Sequence, residues 1–185
     1  MLIRSGSVAL REFEPSLTGT VHGIRNHPSV RAHLRDSRPI PLKDHEKWVR
    51  ENLVEARRLH LFVVYRGAEA QGIALLRNFQ ARSAEVGLMM VQPERRRLAA
   101  YVAAHLIAYY GFEVLDLERL FSYVPLQNER ALAFNLGCGF EPSGNPSDVY
   151  HELLLGRERS RSHPVHHRFR STRKIVVTST DREKL

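Results

Sequence analysis

A chain of 185 residues, 43% hydrophobic and 26% charged, has the size and composition of one globular domain, and its single cysteine, Cys138, excludes an internal disulfide framework. No apolar run approaches the ~20 residues of a membrane span, and Met1-Leu2-Ile3-Arg4 does not begin a signal-peptide core, so a cytoplasmic protein without a membrane partner is expected. The net charge of +8 is uneven: nine of the 28 Lys/Arg and only three of the 20 Asp/Glu follow Leu155, so the high charge is no argument that the folded part binds nucleic acid.

Residues 8–13 alternate loosely and predict a first strand. A helix is expected over 15–25, broken by Asn26-His27-Pro28, then a short helix over 29–34 and a loop at 37–41. Trp48, Val49, Leu53 and Val54 recur at helical spacing within 42–57, with Trp48 among the expected core positions. Three strands follow, at 59–65, 72–76 and 84–91, the first two joined by a turn at Arg66-Gly67-Ala68-Glu69. Leu98, Val102, Leu106 and Tyr110 mark one wide apolar face of a long helix reaching about residue 115. A strand at 120–124, a helix at 129–136 and a strand at 149–155 complete the pattern. The reading is an α+β single domain over 1–155. Residues 156–185 mix Arg, Ser and His with little apolar periodicity, and are expected to form a basic, disordered tail that binds polyanions weakly.

The stretch Val91-Gln92-Pro93-Glu94-Arg95-Arg96-Arg97-Leu98-Ala99-Ala100 carries a strand into a long helix. First-turn amides lack internal partners and the helix dipole favours an anion, so this junction is a physical phosphate receptor. Three arginines add charge at the same mouth, although on their own they also fit a solvated helix start. His163-Pro164-Val165-His166-His167 has no accompanying Cys or acidic residues, and no metal is expected there. Cys138 lacks any indicated base and is expected in the core.

From Arg95 onward the chain resembles the GNAT superfamily of N-acyltransferases, particularly its RimJ/RimL-type branch. The resemblance rests on Arg95 to Ala100 in the frame of the family's pyrophosphate loop. It continues through Tyr110-Gly111-Phe112, then Asn128-Glu129-Arg130-Ala131 and the closing Gly139-Phe140. Two positions depart from the family pattern: Leu98 stands at the loop's central glycine, and Asn135 where many relatives carry a tyrosine that protonates the departing thiolate. A narrower resemblance, to the amino-sugar N-acetyltransferase of the pseudaminic-acid pathway, rests on residues 25–31 (Arg-Asn-His-Pro-Ser-Val-Arg), Ile40 and His45-Glu46-Lys47-Trp48.

These resemblances imply a mixed, mostly antiparallel sheet flanked by helices and direct transfer of acetyl from acetyl-CoA to an amine, without metal. They imply a coenzyme site at Leu88, Met89, Met90, Val91, Arg95, Arg96, Arg97, Leu98, Ala99, Ala100 and Asn128, with the backbone N–H groups of 88–91 as oxyanion donors. Asn128 also fits a helix cap. Glu85 is the implied general base, with an ion-paired surface glutamate as its competing reading, and Arg25, Asn26 and His45 are implied at the acceptor. The expected acceptor is a small primary amine, with a nucleotide-linked amino sugar as its leading candidate; the alternatives are a protein or peptide N-terminal amine, or a degenerate acyl-CoA-binding module. A monomer or homodimer fits either case.

Overall fold

The computed structural model describes residues 1–34, 36–56, 59–92, 97–144, 148–172 and 174–178. The chain opens with a hairpin, β1 (Leu2–Ser5) and β2 (Val8–Glu12), turning at Gly6 with φ +60°. A 3₁₀ turn at Pro15–Leu17 leads into α1 (Thr18–Asn26), and α2 (Pro28–Arg31) follows at once. The break falls at His27 because the residue before a proline is pushed to extended backbone, and His27 sits at φ −60°, ψ 134°. The His27 ring then caps α2 by accepting from the Ser29 N–H at 3.2 Å.

Next come α3 (Leu42–Val49), which runs into a π turn at Arg50–Glu55, and the strands β3 (Leu59–Arg66), β4 (Glu69–Gln80) and β5 (Ser83–Met90). Helix α4 (Arg97–Tyr109) ends in a second π turn at Tyr110–Val114. The remaining elements are β6 (Arg119–Pro125), α5 (Glu129–Gly137), β7 (Glu141–Pro142), β8 (Tyr150–Gly156), α6 (Arg157–Ser162), α7 (Pro164–Thr172) and β9 (Ile175–Thr178).

The strands make one sheet in the order β7-β8-β6-β5-β4-β3-β2-β1-β9, and β5–β6 is its parallel pair among antiparallel neighbours. A parallel pair needs a crossover, and α4 supplies it. Alternation along the strands then sorts the two faces. Leu120, Val124, Leu153 and Leu155 turn to the face where Val102, Ala103 and Leu106 of α4 pack, and all are buried in the main core. The opposite face is partly covered: Val21 and Ile24 of α1 pack on Leu61, Val63 and Ile73.

The elements expected up to residue 155 are present with shifted ends, while β1 and β7 are additions to the sequence reading. The expected loose tail is not what the described residues form. α6 and α7 fold back on the domain, burying His166 and Phe169 against α4, and β9 pairs antiparallel with β1 along its whole length. Histidine takes the place of aliphatic residues in this packing, because His166 finds partners at His105 Nδ1 (2.9 Å) and the Cys138 carbonyl (2.8 Å). Arg157, Arg159 and Arg161 pair with Asp116, Glu141 and Glu113, which consumes part of the charge expected to attract polyanions. Trp48 also departs from expectation, standing 39% exposed rather than in the core.

Candidate functional site

β5 and β6 are hydrogen-bonded only where Ser83, Ala84 and Glu85 face Arg119, Leu120 and Phe121. β4 stays paired to β5 as far as Met90, so the C-terminal half of β5 has lost its neighbour on the β6 side. The Val91 N–H donates to the Gln71 carbonyl at 2.9 Å, toward β4. Backbone groups alternate sides along a strand, so Leu88 and Met90 turn their N–H and C=O groups into the gap.

A cavity of about 420 Å³ opens at this gap. Leu88, Met89 and Met90 form one wall; Arg97, Ala100 and Tyr101 of the first turns of α4 form another; Asn128, Arg130 and Phe134 come from α5 and its cap. The fourth side is Ser29, Val30, His33 and Leu34 of α2 and the turn after it, a group the sequence reading missed. Ser29 Oγ accepts from the Gln92 N–H at 3.0 Å and so ties α2 to the end of β5. The helix start at Pro28 was the available sequence signal, but nothing local says that α2 lands on a strand end some sixty residues away.

Six expected coenzyme residues line this cavity: Leu88, Met89, Met90, Arg97, Ala100 and Asn128. Three do not. Val91 packs among the residues beneath α1, Ala99 is buried in the core, and Leu98 is 54% exposed. Arg95 and Arg96 lie outside the described residues. Asn128 caps α5, its Oδ1 accepting from the Ala131 N–H at 3.0 Å, while also bordering the cavity, so both roles considered for it are compatible. Asn135 donates to the Ala131 carbonyl at 2.8 Å, turned back on its own helix.

The expected acceptor residues fall together on the α1 side. Asn26 is committed to structure: Oδ1 accepts from the Ile40 N–H (2.9 Å), and Nδ2 reaches the Ile40 carbonyl (2.8 Å) and His22 Nε2 (2.9 Å). This clamps the 37–41 loop over α1. His45 is buried between His22, at a centroid distance of 5.3 Å, and Trp48, stacked at 6.0 Å. Arg25 donates through Nη2 to the Asp36 carbonyl at 3.0 Å. Two buried nitrogens in this cluster, Arg25 Nη1 and His45 Nε2, have no hydrogen-bond partner among the described residues. Burial lowers the pKa of His45, with His22 and Arg25 adding to the effect, and burial also lowers that of Arg25, opposed by Asp36.

Glu85 stands on the same face of the sheet as α1. Its Oε1 accepts from Arg77 Nε (2.9 Å) and Nη2 (2.5 Å), and its Oε2 from Asn78 Nδ2 (2.6 Å). It is therefore ion-paired, as its competing reading had it, yet its side chain is only 12% exposed.

A family model described as an acetyltransferase (GNAT) domain matches residues 7–141. The acetyltransferase PseH of Campylobacter jejuni is 26% identical over 130 residues, covering 70% of this chain and 80% of that protein. Among solved structures, apo FdhC, a nucleotide-linked sugar GNAT, superposes with a TM-score of 0.76 at 18% identity over 91% of this chain and 97% of its own. The spermidine N-acetyltransferase of Vibrio cholerae, in complex with CoA and spermine, does so with a TM-score of 0.71 at 18% identity over 83% and 97%.

Proposed function

We propose an acceptor for this chain from the premise that it belongs to the GNAT acetyltransferase family and transfers acetyl from acetyl-CoA. The acceptor is the primary amine of a nucleotide-linked amino sugar. The observation that carries this reading is the pair of buried nitrogens, Arg25 Nη1 and His45 Nε2, that no described residue satisfies. A buried polar nitrogen without a partner costs about 1–3 kcal/mol, so a cluster that keeps two of them is built for a ligand that bonds to them. Phosphate oxygens do so, and a guanidinium beside an imidazole suits them. A polyamine would meet the Arg25 guanidinium as a like charge. The likeness to FdhC and PseH supports the same direction.

In this reading the pantetheine arm of acetyl-CoA runs through the gap between β5 and β6, hydrogen-bonding to the free edge at Leu88 and Met90. Arg97 and Arg130 at the cavity's mouth hold the phosphates. The thioester oxygen, which gains negative charge as the amine attacks, takes a backbone N–H from the same edge. Arg25 and His45 orient the acceptor, and Glu85, held by Arg77 and Asn78 on the same face of the sheet, sets negative charge near the amine. Leu98 fills the family's glycine position without touching the cavity, so it does not obstruct the coenzyme.

The test is thiol release from acetyl-CoA with a UDP-linked 4-amino sugar, spermidine and an alanyl peptide offered side by side. The sugar nucleotide is expected to give a kcat/KM at least about tenfold above the other two, a difference of about 1.4 kcal/mol. Preference for spermidine or the peptide would reject the acceptor assignment while leaving acetyl transfer intact.

A further inference from the structure

Among the described residues, the sheet face that carries Glu85 continues past α1 without a helix over β6 and β8. Phe121 and Tyr123 alternate away from the main core, as do Glu152 and Leu154 on β8. Tyr123 and Glu152 are direct cross-strand partners. Tyr123 lies two residues beyond Phe121, the last residue of β6 that pairs with β5, and so stands on the edge of the gap that admits the coenzyme. Across the gap in the same register is Gly87, where an added Cβ would press on the Leu75 side chain at 3.2 Å. Tyr123 lies within electrostatic reach of both Glu152 and Glu85. Glu152 Oε1 accepts from Ser143 Oγ at 3.4 Å.

The mechanism has a proton to place on each side of the transfer, and its expected groups are encumbered. Asn135 cannot protonate a thiolate and is bonded back to α5. Both oxygens of Glu85 are occupied by Arg77 and Asn78.

We propose that Tyr123 and Glu152 form a proton relay for acetyl transfer, resting on the acceptor reading proposed above. The acceptor nitrogen bonds to the thioester carbonyl carbon and sheds a proton to Tyr123 Oη while the phenol's own proton passes to Glu152. As the tetrahedral adduct collapses, the C–S bond breaks, and the thiolate takes a proton from Tyr123 as Glu152 returns its own. Both groups end as they began, and the products are the amide and the free thiol. Burial first, then the charges of Glu152 and Glu85, raise the Tyr123 pKa, which keeps the phenol protonated and able to pass a proton in either direction.

The test uses the full chain with acetyl-CoA and the three amines named above. Tyr123→Phe removes one oxygen from a half-exposed side chain, so the CoA-induced rise in Tm should be unchanged while kcat falls on the order of 100-fold. Glu152→Gln should lose a similar factor with the same unchanged CoA shift. The double variant should be no worse than the worse single one, because the two groups act as a unit. A loss under tenfold in Tyr123→Phe with an intact CoA shift, or losses that multiply in the double variant, overturn the relay alone. Absence of turnover with every amine by the unaltered protein overturns the relay together with the acceptor reading.

Discussion

His105 of α4 and His166 of α7 meet through their Nδ1 atoms at 2.9 Å, deep in the protein, and His166 passes a second bond through Nε2 to the Cys138 carbonyl at 2.8 Å. One contact thus joins the crossover helix, the end of α5 and a segment whose composition reads as solvent-exposed.

That contact makes the segment after Gly156 part of the domain's stability. Truncation after Gly156 uncovers α4 where Phe169 packs and strips β9 from β1. The expected loss is about 3–5 kcal/mol, as for removing a large core side chain, or about 10 °C or more in Tm. Circular dichroism melting checks this; a truncated protein within about 2–3 °C of the full chain would show α7 and β9 to be ornamental.

The arginine–histidine cluster predicts a split in kinetics. Arg25→Ala and His45→Ala should each lower kcat/KM for the acceptor about tenfold or more while leaving CoA affinity within about twofold. Calorimetric titration with CoA, beside steady-state assays, separates the two effects. Equal losses on both sides would move the cluster to the coenzyme.

Acid should weaken the fold. Burial lowers the pKa of His45, His60 and His163, so each binds its proton more readily in the unfolded chain. Their contribution is complete above about pH 6.5, the ordinary histidine value, and is lost as pH falls below it. Tm recorded between about pH 8 and 5 should therefore decline, and His45→Gln should flatten part of the slope. A Tm that rises on acidification would contradict this sign.

Gly72 makes a geometric prediction. A Cβ there would fall on the Met89 carbonyl and the Met90 sulfur, on the strand that borders the cavity. Since a backbone carbonyl cannot swing aside, Gly72→Ala should cost about 1–3 kcal/mol and weaken CoA binding as β5 shifts. Unchanged melting and CoA titration would mean that β4 and β5 separate freely.

The parts of this architecture that were legible in sequence are those where apolar spacing alone decides. Val102, Leu106 and Tyr110 share one helical stripe, and β3 is a run of buried apolar residues, because α4 and the central strands have aliphatic neighbours on every side. Residues 157–178 were not legible: their buried positions include His166 and Ser160, and Ile175 to Val177 look too short to matter until β1 offers them an edge. The site divides in the same way. Arg97, Ala100 and Asn128 followed from one continuous stretch, whereas Ser29 and His33 reach the cavity through the packing of α2 on β5, and Tyr123 gains meaning only once β6 is seen to part from β5.

The pairing of β1 with β9 has a mechanical side. Leu2 lies opposite Thr178 and Ser5 opposite Ile175, so the outer ends of the two strands sit together at one point of the sheet. A force pulling those ends apart loads the ladder one rung at a time, like a zipper, rather than shearing all its hydrogen bonds at once. The far edge of the sheet should therefore peel at low force, releasing α7 from α4 while the gap between β5 and β6 is still intact.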